Sequence, residues 1–161
     1  MKSLLPELGA TLAEVVPQLH AHCRQPWWVI GSAAAWLAGA EVEVADVDVL
    51  TSRDDAERLA ILWHGLRESA YEPAGAERFR SQFARFRFAG LPVEVMGGLE
   101  LHGIEGWQPL QVHETQTVDV DGIAVRIPAR GEQIRLLHAF GRAKDFRRAA
   151  LLQALSGVES C

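Results

Sequence analysis

The sequence predicts an α/β fold: a mixed β-sheet with helices packed mainly on one face and further helices at both ends. Three observations carry this expectation. The 161 residues are 48 % apolar and 23 % charged, the usual balance for a globular chain of one domain, 1–161. Short apolar or alternating stretches interleave with helical periods through the first half. Two hairpin signals then precede two closing helical segments.

The elements follow in order. Leu4, Leu5, Leu8, Leu12, Val15, Val16 and Leu19 recur at helical spacing over residues 3–22, an amphipathic helix that opens after Pro6 and fills the segment 1–24. The core segment is 27–128. Trp27–Ile30 is a short strand, Gly31-Ser32 a turn, and Ala33–Leu37 a helix ending near Gly39. Val44–Leu50 alternates, with Val47 and Val49 on one side and Asp46 and Asp48 on the other. Ser52 and Asp55 form a capping box for a helix that runs to about Glu68, with Leu59, Leu62, Trp63 and Leu66 inward. Phe83–Ala89 and Leu91–Met96 read as a hairpin around Gly90, and Thr117–Val120 with Ile123–Ile127 as a second one on Asp121-Gly122. The segment 129–156 holds a helix from Glu132 to about Phe140, an interruption at Gly141, and a last helix with Phe146, Ala149, Leu152 and Leu155 inward.

Charge and composition exclude several classes. Sixteen basic against twenty-one acidic residues give −5, the wrong sign for a protein that lives on a nucleic-acid backbone. No apolar run approaches the roughly 20 residues of a membrane span, and Glu7 and Glu14 interrupt any signal peptide. Cys23 and Cys161 make no disulfide framework, so a reducing cytoplasm is the expected compartment.

The chemistry concentrates in carboxylates. Aspartate is depleted from strands, and two on one face repel unless a cation lies between them. A hard divalent ion needs that arrangement: carboxylate oxygens converging from rigid backbone. Glu94 alternates with Val93 and Val95, so it points to the side of Asp46 and Asp48 if the two strands are neighbours. Two Mg²⁺ ions about 3.5–4 Å apart would balance three such groups. The plainer alternatives are a solvated sheet face for the aspartates and a partner for Arg87 in the case of Glu94. A tight turn at Gly90 would pair Phe88 with Val93 and Arg87 with Glu94. Arg87 would then balance the acidic cluster or hold a phosphate. Gly31-Ser32 offers a close backbone approach and free N–H groups to a phosphate, although neither a P-loop nor a dinucleotide fingerprint is present.

Together, GSAAAWLAG, ADVDVL and LPVEVM resemble the nucleotidyltransferase superfamily, typified by DNA polymerase β, kanamycin nucleotidyltransferase and the minimal nucleotidyltransferases. IPARGEQIRLLHAFGRAKDFRRAALL resembles the helix, Arg-x-Lys-Asp and last helix of many small members. The likeness spans roughly residues 27–155. It implies a nucleotidyltransferase-type fold, with Asp46, Asp48 and Glu94 as catalytic metal ligands, Mg²⁺ (Mn²⁺ as the substitute) as cofactor, and Gly31 and Ser32 on the triphosphate. Arg142 and Lys144 would lie near the phosphates or the acceptor. The departures are Val44-Ala45, where many relatives have arginine or threonine, His138 in place of a lysine, and Arg148 in place of an aspartate.

The function implied is Mg²⁺-dependent transfer of a nucleoside monophosphate from an NTP to a hydroxyl of a small molecule or protein. The 161 residues are too few for a large acceptor domain beside this fold, so the acceptor is expected to be held by a homodimer partner or the N-terminal helix, or to be a protein itself. The alternative is a catalytically degenerate module of the same fold that binds a nucleotide or a protein, such as a toxin–antitoxin component. A polymerising or tailing enzyme is a third reading, disfavoured by the net charge.

The remaining features have simpler readings. His20-Ala21-His22-Cys23 is a helix C-terminus rather than a zinc site. His102 and His113 are isolated. Arg78, Arg80, Arg85 and Arg87 interleave with Phe79, Phe83, Phe86 and Phe88; the period of two sends Phe86 and Phe88 to the core. Trp27, Trp28, Trp36 and Trp63 are core residues, with Trp28 or Trp36 the candidates for stacking on a base. Lys144 stands out because fourteen of the sixteen basic residues are arginine. It sits early in the last helix, where a cation does not help the helix.

Overall fold

The structure, a computed structural model, describes residues 5–69, 71–73 and 75–159, with side chains to residue 155. Leu4 and Cys161 lie outside the described residues. Helix α1 spans Pro6–His22. Proline is suited to its first turn, where the missing N–H has no partner to lose. Leu8, Leu12, Val15, Val16 and Leu19 are fully buried along one stripe, each contributing roughly 1.5–3 kcal/mol.

Strands β1 (Trp28–Ile30) and β2 (Val47–Thr51) flank helix α2 (Gly31–Leu37). Val44-Ala45 lie before β2 rather than in it, and the strand starts three residues later than expected. Helix α3 (Arg53–Leu62) is capped at Ser52, whose Oγ accepts the Asp55 N–H at 3.1 Å. The reciprocal half of the box is absent. The buried Asp55 carboxylate instead accepts the N–H groups of Arg24 and Gln25 at 3.0 and 2.8 Å and pairs with Arg58, so it fastens the β1 approach to α3.

The chain leaves α3 earlier than its period suggests. A 3₁₀ turn at His64–Leu66 follows, and Leu62 and Leu66 are 42 and 39 % exposed, not inward. The reason is a second pairing: Arg67 bridges to Phe86, Glu68 N–H donates to Arg85 O, and Arg87 N–H donates to Leu66 O. Residues 66–68 thereby run beside strand β3 (Phe79–Phe86).

Strand β4 (Val93–Gly103) is longer than expected and pairs with β5 (Gly106–Pro109) at its far end. The main sheet has the order β1-β2-β4-β3. β2 and β4 are parallel, and the other pairs are antiparallel. One sheet face carries Val29, Val47, Val49, Ala84, Phe86, Val93 and Val95, packed with α1 and α3 in the main core. At Gly97 the crossing of α3 is so close that a Cβ would lie 2.4 Å from that of Ala56. Gly98 then takes φ +61° and the pairing shifts. This bulge re-aims Leu99 to the opposite face, where it packs with Ile30 and Leu50.

Strands β6 (Thr115–Val120) and β7 (Ile123–Pro128) form a separate hairpin on Asp121-Gly122, both at positive φ, as an Asp-Gly turn favours. Helix α4 (Arg130–Phe140) ends at Gly141, in the left-handed region at φ +72°. Leu136 and Phe140 cover part of the second sheet face. Helix α5 (Ala143–Glu159) buries Ala149 and Leu152 against Leu137. Phe146, expected inward, is 50 % exposed and lies against His138. Among the described residues no helix is long and apolar enough to cross a membrane.

Candidate active site

The uncovered part of the second sheet face is where the carboxylates converge. Asp48 lies directly opposite Glu94 across the parallel β2–β4 pair, and opposite Ile30 on the other side. Asp46 precedes β2 by one residue and shares the facing of Asp48. Each of the three offers an oxygen, and these oxygens all lie within 4.8 Å of one another. Asp48 and Glu94 stand on strands paired on both sides, so these two cannot separate by moving a loop.

The electrostatic cost is visible at Asp48. Its Oδ1 is buried with no hydrogen-bond partner. Burial first, and then the neighbouring Asp46 and Glu94, push its carboxyl well above the usual range. A divalent cation fits this donor set: three hard oxygen ligands converge, and one buried oxygen is unsatisfied.

Gly31 follows β1 at φ +68°. A Cβ there would sit 2.6 Å from Asp48 Oδ2, so a residue without a side chain is required by conformation and by contact. Gly31 and the buried Ser32 line a cleft of about 590 Å³ above the carboxylates. Phe79, Phe83, Met96, Leu99 and Phe140 form its apolar wall, and Arg142, Lys144 and Arg148 stand on its α5 side.

Arg87 is not at the cluster. It is 77 % exposed and pairs with Glu68 Oε1 at 3.1 Å. The β3–β4 connection is wider than a tight turn, so Phe86 rather than Phe88 pairs with Val93, and Arg85 stands opposite Glu94. The expected register was wrong by two residues. Both Phe86 and Phe88 remain core, at 0 and 6 % exposure, packed edge-on against Trp63. The sequence reading therefore missed Arg85 as a site residue. Its Nη1 donates to Glu94 Oε2 and lies 3.6 Å from Asp46 Oδ2. Its Nε is 3.3 Å from Glu68 Oε2, and its guanidinium carbon lies 4.6 Å from the centre of the Tyr71 ring.

Arg142 is committed elsewhere. Its backbone N–H and guanidinium both donate to the fully buried Asp145 carboxylate, at 3.1 and 2.6 Å, and it lies over the Phe79 and Phe140 rings. Lys144 is exposed at the cleft rim. Asp145 pairs with Arg142 and Arg148, and among the described residues Lys144 has no ion pair.

Other candidates fall outside the cleft. His20 Nε2 lies 2.7 Å from Ala124 O and its ring meets Trp27 edge-on. Burial raises the Cys23 thiol to about 11, so it is an inert packing group. His102 packs on Trp107. Trp36 is buried and Trp28 packs against the second core, so neither faces the cleft as a stacking platform.

No family model and no curated protein matches the chain. Solved structures do. A proposed nucleotidyltransferase from Thermotoga maritima, TM1012, superposes with a TM-score of 0.76 at 22 % identity, covering 96 % of each chain. The lincosamide antibiotic adenylyltransferase LnuA, bound to lincomycin, gives 0.58 at 9 % identity over 89 % of this chain and 95 % of its own. ANT(2″)-Ia in complex with adenylyl-2″-tobramycin gives 0.54 at 12 % identity over 94 and 91 %. The chain has the nucleotidyltransferase fold.

Proposed function

We propose that this chain is a nucleotidyltransferase that moves a nucleoside monophosphate from an NTP to a hydroxyl of a small molecule or protein. The observation that carries this reading is the convergence of Asp46, Asp48 and Glu94 on adjacent strands at the floor of the cleft, with one buried oxygen unpartnered. Adenylyl transfer to antibiotics by two neighbours of the same fold supports a small-molecule acceptor.

In this reading the three carboxylates hold Mg²⁺. When bound, the ion lowers the pKa of the attacking hydroxyl and neutralises charge on the phosphates. The Gly31 backbone and Ser32 border the phosphates, and Lys144 adds a positive point charge across the cleft. Arg142 holds the start of α5 through Asp145, which fixes where Lys144 can reach. The apolar wall receives the base or the acceptor. The acceptor oxygen bonds to the α-phosphorus, the bond from that phosphorus to the β-phosphate oxygen breaks, pyrophosphate leaves, and the hydroxyl proton passes to solvent.

Incubation of the chain with each α-labelled NTP, Mg²⁺ and a cell extract tests this. Label carried onto an acceptor by the wild type, and not by Asp46→Asn, is expected. Absence of both transfer and NTP binding would falsify the reading. One observation favours the degenerate binding module instead: the Arg85 guanidinium already occupies the Glu94 side of the cluster. That module would bind nucleotide or a protein partner without transferring label.

A further inference from the structure

We infer that Arg85 is a resident cation that competes with a divalent ion for Glu94 and Asp46, and that it yields by moving onto Glu68. The inference rests on the metal-site reading above. Arg85 stands opposite Glu94 on the neighbouring strand. Its Nη1 donates to Glu94 Oε2 and approaches Asp46 Oδ2, so a guanidinium bridges two of the three carboxylates an ion would use. A Mg²⁺ ligand oxygen sits at roughly 2.0–2.1 Å from the ion. Glu94 Oε2 cannot turn its lone pairs to an ion and keep that charge-assisted bond at full strength.

A displaced guanidinium with a side chain only 19 % exposed needs another acceptor. Glu68 supplies it. Its Oε2 lies 3.3 Å from Arg85 Nε, yet that Nε is buried and makes no hydrogen bond. Movement toward Glu68 therefore forms a bond that the resting arrangement lacks. Glu68 is tied to the same strand, because its N–H donates to Arg85 O at 2.8 Å. Arg87 takes Oε1 and leaves Oε2 open. The Tyr71 ring beside the guanidinium gives it an aromatic surface to slide against. Arg85 is thus a positioning residue that couples ion entry to the Glu68 segment.

The test is Mn²⁺ binding to the full chain without nucleotide, followed by electron paramagnetic resonance of the free ion. Arg85→Gln, and Arg85→Met as a volume-keeping second variant, should bind Mn²⁺ roughly tenfold more tightly, about 1.4 kcal/mol. Glu68→Gln should weaken binding several-fold. In the Arg85→Gln background, Glu68→Gln should change nothing, because its effect acts through Arg85. Wild-type affinity in both Arg85 variants overturns the inference. So does equal weakening by Glu68→Gln in both backgrounds, which is the signature of through-space charge alone. If no protein of the set binds Mn²⁺, the metal site itself is overturned and the inference with it. That outcome differs from failure of Arg85 alone, in which the wild type binds.

Discussion

Asp48 and Glu94 are direct neighbours in register across two parallel strands, and both side chains point to the uncovered side of the sheet. A parallel pair of this kind is buried on one face by valines and left with carboxylates on the other. The first consequence is for stability. Asp48 is held above its ordinary value of 3.8, so the native state binds a proton where the unfolded chain does not. The ion-free fold therefore loses stability as pH rises from about 3.8 through the folded value. Asp48→Asn should remove that loss and raise ion-free stability near neutral pH by roughly 1 kcal/mol, while abolishing Mg²⁺-dependent turnover. Urea unfolding in chelator at several pH values measures it.

Glu132 titrates with the opposite sign. Its carboxylate accepts from Arg135, and from the N–H groups of His113 and Glu114. The Arg135 bond acts first, against the effect of burial, and the two N–H bonds assist; together they hold Glu132 down at about 2 from 4.5. Its contribution is complete above pH 4.5 and fades as pH falls toward 2. Glu132→Gln should cost roughly 1–3 kcal/mol at neutral pH, the penalty of leaving buried donors poorly matched. It should also flatten the acid limb of the stability curve.

Gly31→Ala should damage the site more than the fold. The new methyl would meet Asp48 Oδ2 at 2.6 Å, at φ +68°. The left-handed backbone alone costs roughly 1–2 kcal/mol, a modest shift in thermal midpoint. Displacement of the carboxylate should remove Mn²⁺ binding altogether. A variant that melts lower yet binds Mn²⁺ normally would show that Asp48 swings aside freely.

Lys144→Ala should lower NTP affinity roughly tenfold, the loss of about 1.4 kcal/mol for a contact with a charged phosphate. Lys144→Arg should restore part of it, since the charge returns with a different shape. Arg87→Ala is the matched comparison: an exposed residue paired with Glu68, it should leave nucleotide affinity unchanged and stability within about 0.5 kcal/mol. Nucleotide titration of all three decides whether the α5 side of the cleft binds phosphate.

The carboxylates were legible because strand facing depends only on parity. Asp46, Asp48 and Glu94 could be assigned to one side without knowing the register, and an error of two residues preserves facing. That is also why the β3–β4 reading chose the right face and the wrong arginine. The loop width depended on residues 66–68 pairing beside β3, a contact that no local pattern announces. Gly97-Gly98 read as the end of a strand, whereas one marks the close crossing of α3 and the other a bulge. β5 went unread because Gly106-Trp107-Gln108-Pro109 has no alternation and carries a proline. Phe146 followed the helical period, yet the period fixes only a stripe, and α5 buries Ala149 and Leu152 from it.

The β2–β4 pairing also sets an order of events as the chain folds. Arg85 and Glu94 are joined by a local hairpin, which closes a short loop and forms within microseconds. Asp48 reaches Glu94 only when a parallel pair closes across α3 and β3, with the larger loop entropy of a distant contact. The arginine therefore meets its glutamate before the aspartates arrive. A partly folded chain carries a neutral arginine–glutamate pair rather than a bare acidic cluster, so a divalent ion gains its full set of ligands only with that long-range closure.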